Sequence, residues 1–279
     1  MAIAKVIFGD ARNMSELANE SVHLVVTSPP YYNAPFHYAG RYSSYSEYLQ
    51  TIDGVAREVY RVLQTGRVAC LVVDDVRIDG TFYPIVADIT RIFMDVGFTY
   101  RDKIIWVKPE GYIRISRRSG VLLQHPYPMY FYPDNVVETI LIFSKGKCNY
   151  KQFTSEQKEK SRVDLQEYLE KKWYLNVWQI TNVLPHSTRI EKGVAAFPIE
   201  LARRLILLYS FVGDIVLDPF LGSGTTMLAA ISHGRNCIGY EINSALQPII
   251  LKKVGGNIDI VHRDDAQSIP LDLGEDRDD

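Results

Sequence analysis

An α/β fold on a mostly parallel sheet is predicted by three observations. Short apolar runs alternate with amphipathic stretches along most of the chain, one such run leads straight into a glycine-rich turn, and 279 residues at 47% hydrophobic suffice for one substantial core. Strands are expected at 5–8, 24–27, 67–73, 103–107, 139–143, 215–218, 237–241 and 258–262. Helices are expected between them at 46–63, 85–95, 198–209, 225–232 and 245–254. In the first helix Tyr48, Ile52, Val55, Val59 and Val62 recur at helical spacing and predict one buried face. Residues 109–185 break the alternation with Gly, Pro, many Tyr and clustered bases, which marks an insertion between core parts at 1–108 and 186–279.

The formal net charge of −2 hides an uneven distribution, because 101–118 is mostly basic and 264–279 mostly acidic. A polyanionic partner would therefore have to meet a local patch. Cys70, Cys148 and Cys237 are scattered and lack any metal-ligand spacing, so neither a disulfide framework nor a zinc site is expected, and a reducing cytoplasm is. The first residues lack the pattern of a signal peptide and no apolar run reaches bilayer length, so no membrane partner is expected.

The turn is Val216-Leu217-Asp218-Pro219-Phe220-Leu221-Gly222-Ser223-Gly224-Thr225-Thr226, a buried strand opening into a helix. Glycines serve there because a cofactor can lie against the backbone only where no Cβ intrudes, and because tight turns often need positive φ. The next strand ends at Gly239-Tyr240-Glu241, which puts a carboxylate where it could accept from both hydroxyls of a cofactor ribose. No Lys follows Gly224, which rejects a P-loop.

The whole stretch resembles the FxGxG motif of S-adenosylmethionine-dependent DNA amino-methyltransferases. The resemblance implies that Asp218, Pro219, Phe220, Gly222, Ser223, Gly224 and Thr225 hold the methionine part of S-adenosylmethionine and that Glu241 holds its ribose. Phe197 and Pro198 resemble the segment that closes over the methionine end in these enzymes. They read equally as a staple residue and a helix N1 proline, and the two readings are compatible.

Leu24-Val25-Val26-Thr27-Ser28-Pro29-Pro30-Tyr31-Tyr32 is a buried strand that stops in two prolines. Consecutive prolines cannot extend a central strand, so Ser28 to Tyr31 fall in a rigid loop at its carboxyl edge, where open α/β sheets bind ligands. Such a loop suits methylation of an exocyclic amine, whose lone pair is delocalised into the base. Attack on a sulfonium methyl requires the nitrogen to become tetrahedral, so acceptors must hold its two hydrogens. The Ser28 hydroxyl and the Pro29 carbonyl suit that task. The target base must also leave the duplex, and Tyr31 offers a flat face for it. No Pro-Cys pair of the kind used for carbon-5 methylation is present.

The order of the two motifs resembles the permuted β-group of DNA amino-methyltransferases, and the match covers both ends of the chain. The implied fold is a Rossmann-like methyltransferase fold with a mostly parallel, circularly permuted sheet and an inserted target-recognition region. Ser-Pro-Pro-Tyr resembles the N4-cytosine branch, so Ser28, Pro29, Pro30 and Tyr31 are the expected catalytic loop. In the family, an Asp near the start contacts the cofactor adenine, which implies Asp10 and Ala11 here. Asp264 and Asp265 sit in a similar context, and Asp10 is favoured because its strand leads directly into the catalytic strand.

Within the insertion, Arg114, Arg117 and Arg118 lie together without an acid and are the expected DNA contacts. A helix at 156–172 mixes Glu with Lys and reads better as a solvated face. Asp74 and Asp75 read as loop-capping or site-edge residues, since methyl transfer from a sulfonium needs no metal. The function expected is methylation of cytosine N4 in duplex DNA, with N6-adenine methylation as the nearest rival and protein or RNA amino-methylation a distant one. A restriction endonuclease acting on the same site is a potential partner.

Overall fold

The computed structural model describes residues 2–32, 42–78, 80–108, 120–181 and 197–269. The first half supplies the strands β1 (Ala4–Phe8), β2 (Val22–Thr27), β3 (Leu63–Val73), β4 (Val76–Ile78), β5 (Thr81–Tyr83) and β6 (Thr99–Val107), with helices α1 (Tyr45–Val62) and α2 (Ile85–Val96). The middle holds α3 (Val121–Gln124), β7 (Val137–Ser144), α4 (Ser155–Lys160), α5 (Leu165–Glu170) and β8 (Val177–Gln179). The last part holds α6 (Ile199–Tyr209), β9 (Ile215–Asp218), α7 (Thr225–Ser232), β10 (Asn236–Glu241), α8 (Gln247–Val254) and β11 (Ile258–His262).

Among the described residues, nine strands form one sheet in the order β11-β1-β10-β9-β2-β3-β7-β6-β8. Of these, β7 alone runs against its neighbours. Side chains alternate between two faces along each strand, so successive residues serve different cores. Leu24 and Val26 join Cys70, Leu205 and Met227 in a core under α6, α7 and α8. Val25 joins Leu71, Ile52 and Phe93 in a second core under α1 and α2. The sheet is thus covered on both faces, as near-continuous apolar strands require.

The spacing read in the first helix is real: Tyr48, Ile52, Val55, Val59 and Val62 are all buried in α1. Ser44 caps its start by accepting from the Glu47 amide at 3.2 Å. In α6 the structure moves one residue from expectation, because Pro198 is the N-cap with extended backbone and Ile199 is the first helical residue. The helix expected at 156–172 is two helices, because Asp164 starts a second one by accepting from the Gln166 and Glu167 amides at 2.9 and 3.1 Å. Among the described residues, no helix is long and apolar enough to cross a membrane.

Residues 109–185 contribute β7 and β8 to the main sheet, so the expected insertion is interrupted by core. Ile140, Leu141, Ile142 and Phe143 are buried, and the β7 strand they form lies between β3 and β6. Because β7 runs backwards, its first residues lie at the edge where β3 and β6 end, with Val137 opposite Val107 and Thr139 opposite Val73. The second part of the middle is anchored to the core by Arg203, which binds both oxygens of Glu167 at 2.9 and 2.7 Å.

The direction of growth reverses between β2 and β9, which are neighbours in the sheet although almost two hundred residues separate them in sequence. Ligands of open α/β sheets bind at such a switch point, outside the carboxyl ends of the strands. The Ser-Pro-Pro-Tyr loop and the glycine turn both emerge there.

Candidate active site

β2 delivers Thr27 and then Ser28, half-buried, followed by Pro29, buried, and Pro30 and Tyr31, half-buried. The prolines end the strand as expected, since neither can donate to a ladder. The two tyrosines that follow divide the work. Tyr32 packs among Tyr45, Tyr48 and Tyr83, with ring centroids 5.1, 5.7 and 5.0 Å away. Tyr31 turns to the other side and donates its hydroxyl to Glu138 at 3.0 Å.

The neighbouring strand β9 ends in Asp218, which is 2% exposed. Its carboxylate accepts from the Thr27 hydroxyl at 2.6 Å and from the Phe220 amide at 3.1 Å. Burial pushes its pKa up to about 6, against the lowering effect of the Thr27 and Thr226 hydroxyls and the Phe220 amide. Asp218 therefore ties the two loops together from inside. Thr27, Pro29, Pro219 and Phe220 also line one cavity, so the loops face each other.

In the turn itself, Gly222 has φ 53° and Gly224 φ 87°, the left-handed region where a side chain is strained. Gly224 caps α7, and a Cβ there would come within 3.0 Å of Val254 on α8. Lys253 of α8 donates to the hydroxyls of Ser223 and Thr225 at 2.8 and 2.9 Å, so both hydroxyls face that helix. The Gly222 amide donates to Glu241 at 2.8 Å, and the Asn243 amide reaches the other oxygen at 2.9 Å. Burial pushes the Glu241 pKa up to about 7, although those backbone amides pull it down.

β1 lies between β10 and β11, which brings the two acidic signatures to one edge. Asp10 accepts from the Arg12 amide and side-chain Nε, both at 2.8 Å. Burial works to raise the Asp10 pKa, but the bonds and charge of Arg12 outweigh it, and the pKa falls below the ordinary value. Asp265 accepts weakly from the Asp10 amide at 3.4 Å and binds Arg263 at 2.7 Å. The residue before Asp10 is tied to the end of β10, since the Gly9 amide donates to the Glu241 carbonyl at 2.9 Å. Ala11 is buried beside it, and Phe197 packs half-buried on the core below α6.

A polar cluster on the β7 side joins Tyr31 and Asp74 to residues that the sequence reading did not single out. Glu138 is 6% exposed and pairs with Lys108 at 2.6 Å while accepting from Tyr31. Next to it Asn135 donates to Asp74, whose pKa is pushed up to about 7 by burial and then by the Glu138 charge. Asp75 has the capping role expected of it and accepts from the Val86 amide in the first turn of α2 at 2.8 Å.

A model of the DNA methylase family matches residues 22–252, which include both loops and the cluster between them. The chain belongs to this family. It is 38% identical over 90% of its length to the type II methyltransferase M.MjaI of Methanocaldococcus jannaschii, 91% of which is covered. It is 34% identical over 90% of its length to the type II methyltransferase M.MthZI of Methanothermobacter thermautotrophicus, 76% of which is covered. TTHA0409 of Thermus thermophilus, complexed with S-adenosyl-L-methionine, superposes with a TM-score of 0.74 at 32% identity, covering 93% of this chain and 98% of that one.

In this DNA amino-methyltransferase the loop candidates Ser28 to Tyr31 and the turn candidates Asp218 to Thr225 thus lie at the ends of neighbouring strands joined by the Thr27–Asp218 bond, and the turn is joined to Glu241 through the Gly222 amide. Arg114, Arg117 and Arg118 lie outside the described residues. Glu138 and its pairing with Lys108 were missed because that pairing joins two strands across a long loop. A signal for Glu138 was present: it is a charged residue at a core-facing position of an apolar run.

Proposed function

We propose that this methylase transfers a methyl group from S-adenosylmethionine to the N4 amino group of cytosine in duplex DNA. The observation that carries the reading is the bond from Thr27 to Asp218, which holds the Ser-Pro-Pro-Tyr loop beside the glycine turn.

The residues present fit the cofactor. The turn offers backbone in the left-handed region at Gly222 and Gly224, and Glu241 is half-buried with each oxygen already oriented by one amide. Gly222 and Phe220 would hold the methionine part, Glu241 the ribose hydroxyls and Asp10 the edge of the adenine. Bound there, S-adenosylmethionine supplies an electrophilic methyl on a sulfonium.

The chain's own part is to prepare the amine. The Ser28 hydroxyl accepts one amine hydrogen and the Pro29 carbonyl the other, so the lone pair leaves conjugation with the ring as the nitrogen becomes tetrahedral. Tyr31 stacks on the flipped base and fixes its plane. Pro29, Pro219 and Phe220 meet over the apolar core of α1 and α2, which supports both loops from beneath. The basic residues Arg114, Arg117 and Arg118 hold the duplex through its phosphates.

Plasmid DNA incubated with the protein and S-adenosylmethionine, then digested and read by mass spectrometry, tests this. N4-methylcytosine is expected. N6-methyladenine as sole product would move the target while keeping the loop chemistry, and 5-methylcytosine would overturn both.

A further inference from the structure

Glu138 is an expensive residue for its position. It lies near the start of β7, opposite Trp106 of β6, at 6% exposure, where a carboxylate is tolerated only if it is paired and hydrogen-bonded. Its two oxygens are used separately. One meets Lys108, the residue after β6, at 2.6 Å, and the other accepts from the Tyr31 hydroxyl at 3.0 Å. Lys108 is itself fixed, with its ammonium over the Trp106 ring at 5.5 Å. A chain of contacts thus runs from two paired strands, β6 and β7, to the one aromatic side chain of the catalytic loop.

We propose that Glu138 is a positioning residue for methyl transfer, holding the Tyr31 ring at the angle at which a flipped base stacks on it, with Lys108 fixing the other carboxylate oxygen. The inference rests on the DNA-methylation reading and extends it to a residue outside the loop. The tyrosine ring has two rotatable bonds, so its plane depends on what its hydroxyl is bound to. A hydrogen bond to an acceptor mounted on a sheet fixes one end of the ring before the base arrives. The same hydroxyl cannot serve the reaction itself, since its proton is committed to Glu138.

A structural ion pair would look similar in the static structure, so the test must separate the two. Turnover of plasmid DNA with tritium-labelled S-adenosylmethionine is compared for the native protein, Tyr31→Phe, Glu138→Gln and the double variant. Tyr31→Phe removes the bond and is expected to lower kcat by about tenfold, whereas Glu138→Gln removes only its charge and is expected to lower kcat by less. KM for plasmid DNA and Kd for S-adenosylmethionine are expected to stay within about twofold. The double variant should be no worse than the weaker single variant, since the bond can be lost only once. Losses that multiply would overturn the proposal, as would a Tyr31→Phe protein with native kcat. That variant deletes one oxygen and leaves the Glu138–Lys108 pair intact, so it decides the matter even if Glu138→Gln does not fold. If the native protein methylates no plasmid DNA, the underlying reading fails first, and that result is distinct from native turnover combined with an indifferent Tyr31→Phe.

Discussion

The hydroxyl of Thr27 donates to the carboxylate of Asp218 at 2.6 Å, joining the last residue of β2 to the last residue of β9. These strands carry the two loops of the site, and the bond lies buried beneath both. Thr27→Val keeps the shape and removes the donor, leaving a buried carboxylate with one partner fewer. Stability should fall by about 1–3 kcal/mol in urea unfolding at neutral pH, and Thr27→Ser should recover most of it. An unchanged midpoint for Thr27→Val would show that the bond does not hold the loops together.

The proposed role of Glu241 in holding the cofactor ribose predicts that cofactor binding responds to pH. Its folded pKa is raised to about 7 from an ordinary 4.5 by burial, so the folded chain binds this proton more readily than the unfolded chain does. The contribution to stability is therefore complete below the unfolded value and is lost as pH rises through about 7. Cofactor affinity should move the other way, because ribose hydroxyls donate to the carboxylate form. Calorimetric titration with S-adenosylmethionine should show tightening from pH 6 to pH 8 in the native protein and a flat profile for Glu241→Gln. Equal slopes in the two proteins would remove Glu241 from the cofactor site.

What could be read in advance follows from which interactions are local. The apolar runs at β2 and β9, the proline stop at Pro29 and the glycines at Gly222 and Gly224 are written in consecutive residues, and each falls where expected. The helical face of α1 follows from a spacing of three and four residues and is buried as predicted. The hairpin of β4 and β5 and the edge strand β8 were not legible, because three residues are too few for a period to show. The preference for Asp10 over Asp264 and Asp265 rests on strand order alone, because where all three lie depends on β1 inserting between β10 and β11. The same holds for Glu138, whose partners Lys108 and Tyr31 come from other strands and loops.

The basic run of the middle region should carry the electrostatic share of DNA binding. Replacing Arg114, Arg117 and Arg118 together with Ala should weaken duplex binding and flatten its salt dependence, because fewer counterions are released on binding. Cofactor affinity should not follow, since the glycine turn and Glu241 belong to the other half of the chain. Fluorescence anisotropy with a labelled duplex across a salt series measures both slope and affinity. A slope equal to that of the native protein would place the DNA contacts elsewhere.

Ser28 is the residue on which the chemical step should depend most selectively. It follows Thr27 directly, so its backbone is fixed by the same tie to Asp218 that holds the loop, and Ser28→Ala removes only an oxygen at the protein surface of the crevice. The hydroxyl is proposed to accept a hydrogen from the target amine, a contact that strengthens as the nitrogen becomes tetrahedral and positive. An interaction made mainly in the transition state lowers kcat and kcat/KM together when it is lost, and leaves ground-state binding almost unchanged. Turnover should therefore drop by about a hundredfold or more, in the range seen when one preorganised hydrogen-bonding group is removed from a transition state. Tyr31→Ala should differ in kind, because losing the stacking face weakens capture of the flipped base by about 1–3 kcal/mol and so impairs binding and turnover together. Single-turnover methylation at saturating DNA separates the two. A Ser28→Ala protein that loses DNA affinity but methylates bound DNA at the native rate would assign Ser28 to binding and take the amine-accepting role away from it.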